Sequence, residues 1–193
     1  MSDLIRLLIF RNMKFSGVLE DLSTKLRYIS WHQYPFTCLP SNYRPYKLAE
    51  LNLTDSCITS IWDQCREGKV FRNLRNMNLS GSKDLTKMPN FIEFPSLERL
   101  DLEGCIKLSQ LLDPSIADHS KLKFLNLRNC INLVSIPNEL FSLLSLEMLN
   151  LACCFKFASC LNFSPFEEEF GERETTSKLV PRKRQKLCRN KSI

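Results

Sequence analysis

Apolar residues recur along this chain in one short pattern, L-x-x-L-x-L, whose last two anchors are separated by a single position. Seven segments follow it, beginning at Leu4, Leu26, Leu48, Leu74, Leu97, Leu122 and Leu146. The second anchors are Leu7, Ile29, Leu51, Met77, Leu100, Leu125 and Leu149. The third are Ile9, Trp31, Leu53, Leu79, Leu102, Leu127 and Leu151. Alternation over so few residues predicts a short strand with one buried face. A unit of this size cannot bury that face alone, so successive units must stack to build a continuous core.

Counting the first leucine as position 1, position 9 is Asn12, Tyr34, Ser56, Ser82, Cys105, Cys130 and Cys154. All but Tyr34 are small residues able to cap backbone groups as the chain turns away from the strand. Further anchors follow at Leu39, Ile61, Leu85 with Met88, Leu108 with Leu111, and Leu133 with Ile136. Proline comes next in Leu39-Pro40, Met88-Pro89 and Ile136-Pro137. This favours extended or turn-like returns over long helices. The expected fold is an α/β leucine-rich-repeat solenoid, a horseshoe with a parallel concave sheet of about seven short strands and a mostly irregular convex side. At ~4.8 Å per strand the arc would be on the order of 30 Å. The repeats occupy residues 1–163, and a tail covers 164–193.

Composition changes this picture little; the placement of charge changes it more. The chain has 193 residues and a formal net charge of +6. Seven Lys or Arg and no acid lie between Lys178 and Ile193, so residues 1–177 hold 20 basic and 21 acidic side chains. A nucleic-acid-binding fold would carry its basic excess on the body; here only the tail could make loose, non-specific anionic contact. The tail turns from acidic (Glu167 to Glu174) to basic, and low hydrophobicity with block charge predicts disorder for about its last 25 residues. Within it Arg182, Lys183, Arg184 and Lys186 form a short cluster of nuclear-localisation type.

Nine cysteines show no C-x-x-C pair, so neither a zinc ribbon nor a thioredoxin-type site is expected, and the odd, scattered set suits a reducing compartment. Cys105, Cys130 and Cys154 share one register and read as small buried apolar groups. His32 and His119 lie elsewhere in the repeats and do not join them, so no metal or cofactor is expected. Cys153, Cys154 and Cys160 crowd the last unit and read as a decaying repeat. No catalytic residue is expected, since a Cys–His nucleophile needs a base within hydrogen-bond reach. Four N-x-[ST] sequons, at Asn52, Asn78, Asn162 and Asn190, would matter only in a secreted chain. Leu4 to Phe10 is too short, and too interrupted by Arg6, for a signal peptide. No stretch approaches the ~18 to 20 apolar residues of a membrane span.

The block Leu26-Arg27-Tyr28-Ile29-Ser30-Trp31, followed by Tyr34-Pro35-Phe36, Leu39-Pro40-Ser41 and Leu48-Ala49-Glu50-Leu51, resembles the leucine-rich region of plant intracellular immune receptors. It is most similar to the subclass with a TIR domain and an NB-ARC nucleotide switch. Asn78-Leu79-Ser80-Gly81-Ser82 and Leu97-Glu98-Arg99-Leu100-Asp101-Leu102-Glu103-Gly104-Cys105 are similar to further blocks of that family. Gly68-Lys69 does not make a phosphate loop, because Asp63 and Val70 stand where Gly and Ser or Thr are needed. A TIR or NB-ARC segment is therefore not expected here. The resemblance implies a non-catalytic module that senses a pathogen effector or a host protein and restrains a separate NB-ARC-containing receptor, in the cytoplasm or the nucleus.

The expected contact surface is the concave sheet, at positions 5 and 7: Ser30 and His32, Asn52 and Thr54, Asn78 and Ser80, Asp101 and Glu103, Asn126 and Arg128, and Asn150 with Ala152. Asp101 and Glu103 make an acidic spot with Arg128 one repeat on, where charge would set specificity. The plainer alternative is a solvated sheet whose Asn52, Asn78, Asn126 and Asn150 stack as a side-chain ladder. Two other functional alternatives stand beside recognition. One is a receptor remnant or decoy with no independent activity, in which an uncapped first repeat leaves Val18, Leu19 and Leu22 on an unsupported end. The other is a nuclear adaptor targeted by the basic tail.

Overall fold

Seven short strands form, six of them where the pattern places them. A computed structural model describes residues 5–11, 13, 15, 17, 19, 21–62, 70–88, 91–111 and 121–160. Within these, β1 is Leu7–Phe10, β2 Tyr28–Trp31, β3 Glu50–Asn52, β4 Asn76–Asn78, β5 Arg99–Asp101, β6 Phe124–Asn126 and β7 Met148–Asn150. They pair in chain order as one seven-stranded parallel sheet. The fold is a leucine-rich-repeat solenoid. The tail, with its nuclear-localisation cluster, lies outside the described residues, as do Asn12, Val18, Pro89, His119 and Gly68-Lys69.

The core is built from columns. Position 4 stacks Ile29, Leu51, Met77, Leu100 and Leu125, position 6 stacks Trp31, Leu53, Leu79, Leu102 and Leu127, and all are buried. Each fully buried leucine contributes about 2 kcal/mol by area. In the last unit Leu146, Leu149 and Leu151 are only partly buried. There, among the described residues, the column has a neighbour on one side.

The first unit is set one residue later than its leucines suggest. Leu8 pairs with Ile29 and is 7% exposed, whereas Leu7 and Ile9 are 57% and 48% exposed on the concave side. The run Leu7-Leu8-Ile9-Phe10 satisfies the apolar pattern in either register. Aromatic packing separates them: in the observed register the Phe10 ring lies 4.2 Å from Trp31. Phe15, Tyr34 and Phe36 complete this cluster with tilted and edge contacts, so rings take the space that leucines fill elsewhere. Leu22 is buried and Leu19 packs against the same core, so described residues of the first repeat are better supported than an uncapped end predicts.

Two devices turn the chain after most of the strands. Position 8 is left-handed in six repeats, with φ between 53° and 73° at Gln33, Asp55, Gly81, Gly104, Asn129 and Cys153. Its amide then reaches the position 7 carbonyl of the following repeat, as in Gly81 N to Glu103 O at 2.7 Å. At Gly81 a Cβ would collide with the Asp55 carboxylate, so glycine is required there on two counts.

Position 9 supplies the second device. The Ser82 hydroxyl donates to the Leu53 carbonyl at 3.1 Å, and the thiols of Cys105, Cys130 and Cys154 donate to Leu79, Leu102 and Leu127 at 3.3, 3.2 and 2.9 Å. Each acceptor is position 6 of the preceding repeat. The cysteines thus act as buried caps as well as packing groups. Burial pushes the Cys105 thiol up to about 12 and Cys154 to about 11, and raises Cys130 further. Cys154 continues this ladder before the chain enters α1, Phe155–Cys160. The last unit is intact through its cap.

The return side is irregular, with short 3-10 turns at Phe91–Glu93 and Asn138–Ser142 and a lone bridge between Gln110 and Ser135. Trp62, Phe71 and Phe94 stack there at 5.2 Å centroid spacings, and the Trp62 indole donates to Glu93 Oε2 at 3.2 Å. Among the described residues no disulfide forms, no group of His, Cys, Asp and Glu could hold a metal ion, and no helix is long and apolar enough to cross a membrane.

Candidate interaction face

Strand alternation sends position 4 inward and positions 3 and 5 to the concave side. Position 7 follows on the same surface, just before the left-handed turn. The expected residues therefore do line the concave face, but they differ in how far they are available.

In four repeats position 5 is committed to the backbone. Asn78 Oδ1 accepts the Ser80 amide at 2.9 Å, and Asn126 and Asn150 accept those of Arg128 and Ala152, both at 3.1 Å. Asp101 Oδ1 accepts the Glu103 amide in the same way, at 3.1 Å. These are local turns of two residues rather than a cross-repeat amide ladder. The Asn52 Oδ1 atom is buried with no hydrogen bond. Ser30 and Asn126 are themselves buried, so they are floor rather than contact surface.

The centre of the face is a connected polar group. Asn126 Nδ2 donates to Asp101 Oδ1 at 2.9 Å and to Glu103 Oε2 at 3.1 Å. Arg128 Nε lies 3.7 Å from Glu103 Oε1, and Arg99 Nη2 lies 4.0 Å from Asp101 Oδ2. The Arg99 guanidinium also sits 3.5 Å above the centroid of the Phe124 ring, a cation–π contact worth about 0.5–1 kcal/mol when exposed. The acidic spot is thus enclosed by two arginines. Nearer the first repeat, His32 Nδ1 lies 3.1 Å from Thr54 Oγ1 and 3.6 Å from Asp55 Oδ2.

Position 3 was missed by counting only the residues on either side of the third leucine. It contributes Leu7, Tyr28, Glu50, Asn76, Arg99, Phe124 and Met148, a column that no core contact consumes. The signal was available, since position 3 precedes an inward residue in every unit. Along position 2, Glu98 accepts a hydrogen bond from Lys123 Nζ at 3.0 Å and has Arg75 Nη1 at 3.9 Å. The Lys123 hydrogen bond, helped by both positive charges, lowers its carboxyl below the usual range.

Comparison with known proteins places this face in context. No family model matches the chain. It is 35% identical over 164 residues to the disease resistance protein RPP2A of Arabidopsis thaliana, covering 84% of this chain and 12% of that protein. It is 33% identical over 137 residues to RML1A and 38% over 133 residues to RPP4 of the same plant. These matches cover 70% and 69% of the chain, and 13% and 11% of the relatives. The chain therefore spans roughly an eighth of the length of the relatives it matches. A solved leucine-rich repeat domain, from the type III effector XCV3220 (XopL), aligns over 61% of this chain and 39% of its own, with a TM-score of 0.47 and 23% identity. The repeat sheet and the resistance-protein matches agree with the Trp31 block: the chain is a leucine-rich-repeat solenoid whose homologues are Arabidopsis TIR-NB-LRR disease resistance proteins.

Proposed function

We propose that this chain is a non-catalytic protein-recognition module whose concave face contacts a pathogen effector or a host protein, in the cytoplasm or nucleus. Contact with a separate NB-ARC-containing receptor, and restraint of its switch, belongs to the same proposal. The observation that carries it is the central polar group of Arg99, Asp101, Glu103, Phe124 and Arg128, held on strands whose cores are closed. Such a face presents side chains at ~4.8 Å intervals, so affinity accumulates across repeats. Charge placed this way selects a partner more than it tightens one.

Asp101→Lys with Glu103→Lys tests it. Neither side chain supports the leucine columns, but Asp101 accepts the Glu103 amide, so the variant should lose about 1–3 kcal/mol and still unfold cooperatively in urea. Two-hybrid selection against plant and effector libraries should yield partners that bind the parent chain and not the variant. Partners that bind the folded variant equally would move the contact off this face.

A further inference from the structure

The near-neutral body hides a segregated charge. Among the described residues, β2 to β5 and β7 are each preceded by a two-residue turn and by position 2, and these stack from repeat to repeat. Arg27 N donates to Arg6 O, Ala49 N to Arg27 O, and Arg75 N to Ala49 O, all at 2.8 Å. The turns stack too, with Asn73 Nδ2 donating to the Tyr46 carbonyl at 2.5 Å. Along this edge the described residues of the first four repeats present Arg6, Lys25, Arg27, Lys47, Arg72 and Arg75, all exposed, and no acid among them. Among the described residues only Arg75 lies within 4 Å of a carboxylate, that of Glu98, at 3.9 Å. The other five have neither an ion pair nor a side-chain hydrogen bond among the described residues. In the last three repeats the same edge is balanced, with Glu98 and Glu147 against Lys121 and Lys123.

We propose that this strand-start edge of repeats one to four is a second interaction surface, and that it takes an acidic segment of a partner protein. It is distinct from the concave face and does not depend on it. Six cations across four repeats span about 15 Å, the size of a short acidic cluster. Three of them are arginines outside any close pairing, whose planar donors suit carboxylates in pairs. The patch stops at Glu98 and is bordered on the concave side by Glu50. That boundary favours discrete carboxylates over a phosphate chain, which would run past the patch into like charge.

The test uses the full chain and a short labelled peptide alternating Glu and Ser, read by fluorescence anisotropy. The peptide should bind, and raising ionic strength from about 0.05 M to about 0.3 M should weaken it strongly. Lys25→Glu with Arg27→Glu and Lys47→Glu should lower affinity by about tenfold or more, with an unchanged circular dichroism spectrum. Neutralising the seven tail cations to Gln should leave most of the binding. Equal affinity in the edge variant, or loss in the tail variant instead, would overturn the assignment. So would single-stranded DNA that binds tighter than the peptide and is the ligand lost in the edge variant.

Discussion

The three capping thiols make a quantitative prediction about alkaline stability. Cys105, Cys130 and Cys154 are buried, each donates to a carbonyl of the preceding repeat, and burial raises all three. Below pH ~8 the thiols are protonated in both folded and unfolded chains and add no pH dependence. Above about 9 the unfolded chain releases protons that the folded chain keeps until about 11 to 12. Stability therefore falls with rising pH through that window, by about 1.4 kcal/mol per pH unit for each group. Three groups give about 4 kcal/mol between pH 9.5 and 10.5, a large part of the roughly 5–15 kcal/mol typical of a domain.

The control is Cys105→Ser with Cys130→Ser and Cys154→Ser. Serine already occupies this position at Ser82, fully buried and bonded to Leu53 O, so the variant can cap in the same way. Urea unfolding followed by the emission of buried Trp31 and Trp62 gives stability against pH. Tyr34 and Tyr43, also raised by burial, act in the same direction but are present in both proteins. The difference between the curves isolates the thiols. The variant should begin somewhat less stable at pH 7 and become the more stable protein by about pH 10. Parallel curves across pH 8.5 to 10.5 would refute the reasoning.

Other consequences are equally direct. Leu8→Ala should cost about 2–4 kcal/mol in urea unfolding and Leu7→Ala less than about 0.5; the reverse order would return β1 to the register of its leucines. Gly81→Ala and Gly104→Ala should each cost about 1–2 kcal/mol for a left-handed alanine. Gly81→Ala should cost more, because its Cβ also displaces the Asp55 carboxylate, and equal losses would remove that contact from the account. Lys123→Ala removes the largest cause of the lowered Glu98 carboxyl, so its NMR titration should move up toward the ordinary carboxylate range. An unmoved midpoint would exclude the Lys123 pairing.

What could be read in the sequence divides along the faces of the repeat. Positions 1, 4 and 6 must be apolar in every unit, so their period survives, and strand number, order and core were all visible. The register of β1 was not, because Leu7-Leu8-Ile9-Phe10 is apolar throughout and a ring contact decides it. The role of position 9 was legible, since small residues recur there, but the acceptor in the preceding repeat was not. Outward positions 2, 3 and 7 carry no period, and the Asn or Asp recurring at position 5 could be placed on a surface without showing that it was spent on a turn amide. Asn126 looked like contact surface and is floor, whereas Arg99 and Phe124 lie at the centre and were passed over.

That division narrows where recognition can vary. A substitution at position 5 must replace an acceptor that holds the amide at position 7, as in Asn78, Asp101, Asn126 and Asn150. Losing that bond leaves a turn amide without its partner, at about 1–3 kcal/mol if it stays dry. Position 5 is therefore constrained by folding even though it faces the concave side. Positions 2, 3 and 7 carry no such duty. Arg99 and Phe124 at position 3, Glu103 and Arg128 at position 7, and Arg27 and Arg75 at position 2 can change partner without disturbing the stack. A scan of this chain should then separate cleanly: position 5 variants lose stability and binding together, and position 2, 3 and 7 variants lose binding alone. If position 5 variants keep their stability and lose only binding, the asparagines are contact residues after all and the local turns are incidental.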